Sequence, residues 1–170
     1  YGVDGIALLY CRRPPLLDYE PPLVDGFQAE HGEDPRQLPE DDPRWLAYRA
    51  KTLTWFMSEV RQGLDAEVEK RGTRRIDLTA VVGATCEENL RNALDVEAWI
   101  AGELVDTIVP YSSLPDLDSL NEAWTDMADV DRWVERVQGT RCRLALNIMP
   151  RHFPPEKYYE KAHELYERRV

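Results

Sequence analysis

Cysteine and histidine are scarce in this sequence, which has three residues of each. Cys11, Cys86 and Cys142 show no CxxC spacing, and an odd number of cysteines is not a disulfide framework. The histidines lie far apart and give no constellation of metal ligands. We therefore predict that the protein holds no metal ion and that its cysteines are packed, reduced thiols.

Phosphate-binding and nucleophile motifs are also missing. No GxGxxG follows a strand pattern, and there is no P-loop, no GxSxG elbow and no HExxH. The usual signatures of dinucleotide binding, nucleotide binding, serine hydrolysis and zinc proteolysis are thereby excluded. We predict a protein that needs no cofactor.

The chain has fewer positive than negative side chains, and it has no long apolar run. The chain has 21 Lys and Arg against 32 Asp and Glu, a net charge of −11, which would repel a nucleic-acid backbone. No apolar run reaches the ~18 to 20 residues that a membrane span needs. We predict no nucleic-acid partner and no membrane insertion, and a neutral ligand fits this charge best.

We expect no signal peptide in this sequence, whose first residue is Tyr1 rather than Met. We expect a processed chain or a part of a longer one. Its 170 residues are enough for one ordinary domain.

Strand and helix patterns alternate along the chain. Short apolar runs without polar alternation are typical of strands buried on both faces. Four such runs occur, at 3–10, 76–84, 105–111 and 143–150. The proline-rich segment at 12–41 is predicted to be a long loop.

Helices are predicted between these strands. The longest begins at Asp42 and Pro43, ends at Gly72, and carries an apolar stripe that includes Phe56 and Met57. Further helices are predicted to start at Asp95, to span 129–138 and to follow Pro154 and Pro155. We expect the tryptophans of the helices to lie in the core: Trp45, Trp55, Trp99 and Trp133.

The order of these elements predicts an α/β fold built from parallel β/α units with right-handed crossovers. A closed (β/α)8 TIM barrel takes about 250 residues, so four units are about half of one. An open doubly wound sheet is the alternative. We predict that residues 1–170 form a single domain or a segment of a barrel.

Four stretches carry a resemblance to a known family. They are DGIALLYCRRPP at 4–15, DPRWLAYRAKTLTWFMSEVRQGLD at 42–65, LDVEAWIAGELVDTIVPY at 94–111 and GTRCRLALNIMP at 139–150. The third is the most specific, with an Asp-led helix, a central Trp, and Leu-Val-Asp before a strand that ends in Pro. Together they resemble the glycoside-hydrolase-like family 10, a group of (β/α)8 barrels, over nearly the whole chain.

The resemblance implies a carbohydrate ligand, the remainder of the parent barrel as a partner, and a secreted or periplasmic location. One position departs from the family pattern, which usually has an aspartate two residues before the cysteine. That position is Leu9 here. The departure either moves the chemistry to other residues or leaves a barrel that binds carbohydrate without hydrolysing it.

Candidate catalytic residues follow from the rule that barrel active sites lie at the C-terminal ends of the strands. Glycoside hydrolysis commonly needs two carboxylates. We predict Glu87, just past the second strand, and Glu20 in the long loop, with Glu88 and Asp18 as neighbouring alternatives. Only one of Glu87 and Glu88 is expected to point inward, and both also suit the start of a helix.

Candidate substrate-binding residues lie at the same strand ends. Arginines there can fork onto carboxylates or sugar hydroxyls, and tyrosines can stack on the apolar faces of sugar rings. A proline-stiffened loop would present some of them to the ligand. The predicted set is Tyr10, Arg12, Arg13, Tyr19, Tyr111 and Asn147.

These patterns and the resemblance together predict a carbohydrate-active enzyme. It would hydrolyse O-glycosidic bonds by carboxylate acid–base catalysis at the C-terminal mouth of the barrel. The alternative is a catalytically inactive barrel that binds carbohydrate.

Overall fold

The computed structural model describes residues 2–11, 16–111, 126–148 and 154–170. Its strands are β1 (Gly5–Leu9), β2 (Asp77–Gly83), β3 (Thr107–Tyr111) and β4 (Arg143–Leu144). Its α-helices are α1 (Pro21–His31), α2 (Pro43–Arg71), α3 (Cys86–Arg91), α4 (Val96–Ala101), α5 (Met127–Val137) and α6 (Pro155–Glu167). A single 3-10 turn, Pro35–Gln37, lies between α1 and α2 in the described chain.

The four described strands form one parallel sheet in the order β1-β2-β3-β4. Leu9 pairs with Val81, and Val81 pairs with Val109. The predicted α/β class with parallel β/α units is confirmed. A doubly wound sheet reverses its strand order, whereas these strands follow the order of the chain.

One face of the sheet packs against the helices. Alternate residues of β2 and β3 are buried there, and side chains of α2, α4 and α5 complete the core. Right-handed crossovers between sequential parallel strands place the helices on one side of a sheet. The core on this side includes Leu78, Ala80, Val82, Ile108, Met57, Trp99 and Trp133.

The opposite face of the sheet, called the open face below, carries the intervening residues. They are Gly5, Ala7, Leu9, Asp77, Thr79, Val81, Gly83, Thr107, Val109, Tyr111 and Arg143. All except the buried Gly83 are half-buried or exposed, and Leu9 is 60% exposed. In the described part of the chain, none belongs to the core that the helices cover.

Helix α2 has the predicted ends. The Asp42 carboxylate accepts a hydrogen bond from the Arg44 N–H at 2.9 Å, and Gly72 ends the helix in the left-handed region at φ 62°. Its predicted stripe is wrong at Phe56, which is exposed. Trp55, also expected in the core, is 64% exposed.

The prediction of a loop throughout 12–41 is wrong for its middle part, where α1 lies. Pro21 and Pro22 occupy the first positions of this helix, where a backbone N–H is not needed. Phe27 is fully buried and meets the Trp45 ring edge-on at 5.3 Å between ring centres. The packing of Phe27 against α2 therefore stabilises α1, a helix that the proline-rich sequence did not predict.

Strand β4 is shorter than predicted. It covers Arg143–Leu144, and the described residues 145–148 are not strand. One further bond, from the Ala145 N–H to the Ile108 carbonyl at 3.0 Å, extends the pairing with β3.

A buried ion network ties the start of β3 to α2 and β2. The Asp106 carboxylate accepts hydrogen bonds from Arg61 Nη1 at 3.0 Å and from the Leu78 N–H at 2.8 Å. Its second oxygen accepts one from Arg75 Nε at 2.7 Å. The aspartate of the Leu-Val-Asp motif thus has a structural role at the N-terminal end of the sheet.

None of the helices in the described ranges is both long enough and apolar enough to cross a membrane.

Candidate functional site

The C-terminal end of β2 is shaped by the short helix that follows it. Thr85 caps α3 by accepting a hydrogen bond from the Glu88 N–H at 3.1 Å. The Glu88 carboxylate turns back and accepts one from the Ala84 N–H at 2.9 Å. Glu88 is therefore held against the end of the strand.

Asn89 completes this strand end. It is buried, and its Oδ1 accepts a hydrogen bond from the Gly83 N–H at 2.6 Å while its Nδ2 donates to the Gly83 carbonyl at 3.1 Å. A Cβ atom at Gly83 would lie 2.8 Å from the Glu88 carboxyl carbon and 2.9 Å from Asn89 Oδ1. Both side chains can approach because residue 83 has none.

A cleft of about 690 Å³ opens beside Glu88. This volume is within the range of small-molecule sites, roughly 300 to 1,000 Å³. The cleft lies between the segment after β1, the start of α2, and α3. Its lining residues are Asp18, Glu40, Asp41, Leu46, Arg49, Glu88, Arg91 and Asn92.

Arg49 joins the two walls of this cleft. It is buried on α2, and its guanidinium donates to the Leu17 carbonyl at 2.9 Å and to the Arg91 carbonyl at 3.0 Å. Its Nη1 also lies 4.0 Å from the Asp18 carboxylate. Main-chain carbonyls accept hydrogen bonds from the Arg49 guanidinium. The charge of the cleft is therefore set mainly by its four carboxylates, Asp18, Glu40, Asp41 and Glu88.

Arg49 was not among the site residues predicted from the sequence. Its position in the sequence does give a signal, because it lies three residues after Leu46 and four before Leu53, on the apolar stripe of α2. A buried arginine needs polar partners. Here the partners are the Leu17 and Arg91 carbonyls, which belong to opposite walls of the cleft.

Glu87 lies away from the strand ends. It is exposed, and its carboxylate accepts a hydrogen bond from the Arg91 guanidinium at 2.6 Å along the outside of α3. It lines a separate depression of about 230 Å³ between α3 and α5. Of the two adjacent glutamates, the structure brings Glu88 to the strand ends and not Glu87.

Glu20 and Tyr19 support the segment after β1. Glu20 is the residue before α1, and its exposed carboxylate accepts a hydrogen bond from the Asp18 N–H at 2.8 Å. Tyr19 stacks on Trp45 with ring centres 5.3 Å apart. Asp18, rather than either of them, is placed in the wall of the cleft.

Tyr10 is buried among helices, unlike a sugar-stacking platform. Its hydroxyl donates to the Met57 sulfur at 3.0 Å, and its ring lies 5.4 Å from that of Trp99. Burial raises the pKa of Tyr10 from 10.0 to about 12. Side chains alternate along a strand, and β1 turns this tyrosine toward the helices.

Tyr111 and Asn147 lie at the ends of β3 and β4. Tyr111 is half-buried, pairs with Gly83 in the sheet, and borders a depression of only about 10 Å³ at the strand ends. That volume suits about one water molecule. Asn147 is exposed beyond β4, and Arg12 and Arg13 lie outside the described residues.

Burial suppresses ionisation of two of the three cysteines, and the described ranges hold no cluster of metal ligands. Burial raises the pKa of Cys86 and of Cys142 from 9.0 to about 11, so both are thiols at neutral pH. In the same ranges, no group of three or more His, Cys, Asp or Glu side chains is arranged to hold a metal ion.

No protein-family model matches the chain, and a search of curated proteins found no match. The resemblance to the glycoside-hydrolase-like family 10 therefore stays a prediction.

Proposed function

We propose that the chain is part of a glycoside-hydrolase-like (β/α)8 barrel and that it hydrolyses O-glycosidic bonds in the cleft beside Glu88. One observation carries this proposal. Carboxylates from two different strand-to-helix segments, Asp18 after β1 and Glu88 after β2, line the same cleft of about 690 Å³.

The topology supports a barrel. Sequential parallel strands with helices on one face are the arrangement of half a (β/α)8 barrel. The remainder of the barrel would then cover the open face. In such barrels the active site lies at the C-terminal ends of the strands, which is where α3 holds Glu88.

Two carboxylates can divide the chemistry of glycoside hydrolysis between them. One gives a proton to the glycosidic oxygen, and the other attacks the anomeric carbon or activates a water molecule. We assign these two tasks to Glu88 and Asp18 as a pair. Asn92 lies in the same wall, where its Nδ2 donates to the Glu88 carbonyl at 2.9 Å, and its Oδ1 would accept hydrogen bonds from sugar hydroxyls.

The test is the release of p-nitrophenol from a panel of p-nitrophenyl glycosides. Glu88→Gln removes the ionisable group but keeps an oxygen that can accept the Ala84 N–H, so the helix start is preserved. We expect a loss of about 10² to 10⁴ in kcat/KM, as for a group that transfers a proton.

The matched control is Glu87→Gln, which changes the adjacent residue on the outer side of the same helix. It should keep the wild-type rate. Equal losses in the two variants, or hydrolysis that survives Glu88→Gln, would contradict the assignment.

Binding of carbohydrate without hydrolysis is the second candidate. Leu9, at the position where the resembled family usually has an aspartate, presents an apolar side chain that is 60% exposed on the open face. The absence of a carboxylate at position 9 favours binding of carbohydrate without hydrolysis. Under this alternative, oligosaccharides bind to the wild-type protein, no p-nitrophenol is released, and Glu88→Gln weakens the binding.

A further inference from the structure

We propose that Arg49 positions the two proposed catalytic carboxylates by holding the walls of the cleft at a fixed separation. The kinetic consequence of this role rests on the proposed function, whereas the contacts with the two walls can be tested without any activity. Arg49 acts through the segments that carry Asp18 and Glu88, so it is a positioning residue rather than a catalytic one.

The Arg49 guanidinium connects two segments that are far apart in the chain. Its Nη1 donates to the Leu17 carbonyl at 2.9 Å, in the segment after β1, and its Nη2 donates to the Arg91 carbonyl at 3.0 Å, at the end of α3. Leu17 directly precedes Asp18 in the chain. Arg91 follows Glu88 by three residues, about one turn of the same helix. Both hydrogen bonds therefore act close to a proposed catalytic residue.

Trp45 holds the same segment after β1 from a second position on α2. It lies one turn before Arg49 and is fully buried. Its ring stacks on that of Tyr19 with ring centres 5.3 Å apart, and the Arg49 guanidinium carbon lies 5.6 Å from the centre of the Trp45 ring. Asp18 thus lies between Leu17 and Tyr19, which both contact α2.

The bridge between the walls requires the shape of an arginine side chain. A guanidinium directs N–H groups from a rigid planar fork, so two of its nitrogens can bond two separate carbonyls. A lysine has a single nitrogen on a flexible stem. Arg49→Lys therefore keeps the positive charge beside the cleft but does not reproduce two bonds made by separate nitrogens.

Arg61 offers a matched control on the same helix. Like Arg49 it is 4% exposed, and its Nη1 donates to the Ile76 carbonyl and to the Asp106 carboxylate, both at 3.0 Å. These contacts lie at the N-terminal end of the strands, away from the cleft. Arg61→Lys therefore changes a buried arginine of α2 in the same way without touching either wall.

Amide chemical shifts test the contacts with the two walls. The amides of Asp18 and Asn92 belong to the same planar peptide groups as the two carbonyls that Arg49 bonds. We expect at least one of these amide signals to move in Arg49→Lys and both to keep their positions in Arg61→Lys. The Asp77 amide, next to the main-chain carbonyl that Arg61 bonds, should move only in Arg61→Lys. Unmoved signals at both cleft amides in Arg49→Lys would overturn the bridge.

Hydrolysis of the p-nitrophenyl glycosides tests the consequence for catalysis. Misplacement of a reacting group by about 1 Å can cost about 10²-fold in rate, whereas the cleft still admits the ligand. We expect kcat to fall about 10- to 100-fold in Arg49→Lys, with KM within about threefold of the wild-type value. Arg61→Lys should keep the wild-type kcat. Equal kcat values in the two variants would show that Arg49 does not position the carboxylates.

Failure of the proposed function and failure of the positioning role give different results. A wild-type protein that hydrolyses none of the glycosides would overturn the proposed function and, with it, the effect of Arg49 on kcat. The amide shifts would still decide whether Arg49 holds the walls. Circular dichroism checks that each variant is folded, and Arg49→Met, which places no charge at this buried position, should reproduce the loss in kcat.

Discussion

Gly83 allows Glu88 to reach the end of β2. The conformation of residue 83 is open to other amino acids, because its φ is not in the left-handed region. The constraint is space, since a Cβ atom there would lie 2.8 Å from the Glu88 carboxyl carbon. The proposed catalytic carboxylate can therefore lie at the end of β2 only because residue 83 has no side chain.

Gly83→Ala should destabilise the protein by about 1 to 3 kcal/mol, the usual cost of overpacking, and should lower glycosidase activity by displacing Glu88. Urea denaturation measures the first effect, and the p-nitrophenyl glycoside assay measures the second. The control is Gly63→Ala in α2, where nothing lies within 4 Å of the added Cβ. There alanine should stabilise the helix by about 0.5 to 1 kcal/mol. Full stability and activity in Gly83→Ala would contradict the crowding described here.

The choice between Glu87 and Glu88 could have been made from the sequence. Thr85 and Glu88 have the spacing of a capping box, in which the fourth residue turns back toward the helix start. The position rule alone, which selects residues after a strand, treats both glutamates alike. The burial of Tyr10 could not be assigned in this way, because a run of apolar residues does not reveal which face of a strand meets the helices.

At the scale of elements, Asp106 holds α2, β2 and β3 together. Its two carboxylate oxygens accept hydrogen bonds from Arg61, Arg75 and the Leu78 amide. Arg61 also pairs with Asp65 one turn along α2, at 2.8 Å. Removing the aspartate would leave the Arg61 guanidinium without its buried counter-charge, with only the half-exposed Asp65 as an ionic partner.

Asp106→Asn should therefore cost about 3 to 5 kcal/mol of unfolding free energy, as expected when one partner of a buried ion pair is removed. Asp131→Asn is the control, since Asp131 pairs with Arg168 on the surface at 2.7 Å. Its loss should stay below about 1 kcal/mol. Denaturant unfolding of both variants measures these free energies. A loss in Asp106→Asn as small as that in Asp131→Asn would show that the Asp106 network does not stabilise the sheet.

Element order was predictable because several boundaries carry local chemistry. Asp42, Pro43 and Gly72 set the ends of α2 as predicted, and Asp95 caps α4 by accepting a hydrogen bond from the Ala98 N–H. Helix α1 was not predicted, because two prolines at its start are also typical of loops. Its docking depends on contacts with Trp45 that are distant in sequence.

At the scale of the whole molecule, strand order has the largest consequence for function. In a sheet of sequential parallel strands, every strand-to-helix segment lies at the C-terminal end of the strands. Residues 18 and 88 are far apart in the chain but therefore line one cleft. The sequence predicts the units and their order, but the cleft depends on the fold of the segment after β1. The net charge of −11 and the carboxylates of the cleft both disfavour an anionic ligand.

The most direct test of a carbohydrate site at these strand ends is an amide chemical-shift titration of the wild-type protein. The ligand would be a mixture of cello-, xylo-, malto- and chito-oligosaccharides. We predict shift changes that cluster at Asp18, Glu88 and Asn92, the polar walls of the cleft. No change with the mixture, or changes confined to α5 and α6, would contradict a carbohydrate site in this cleft.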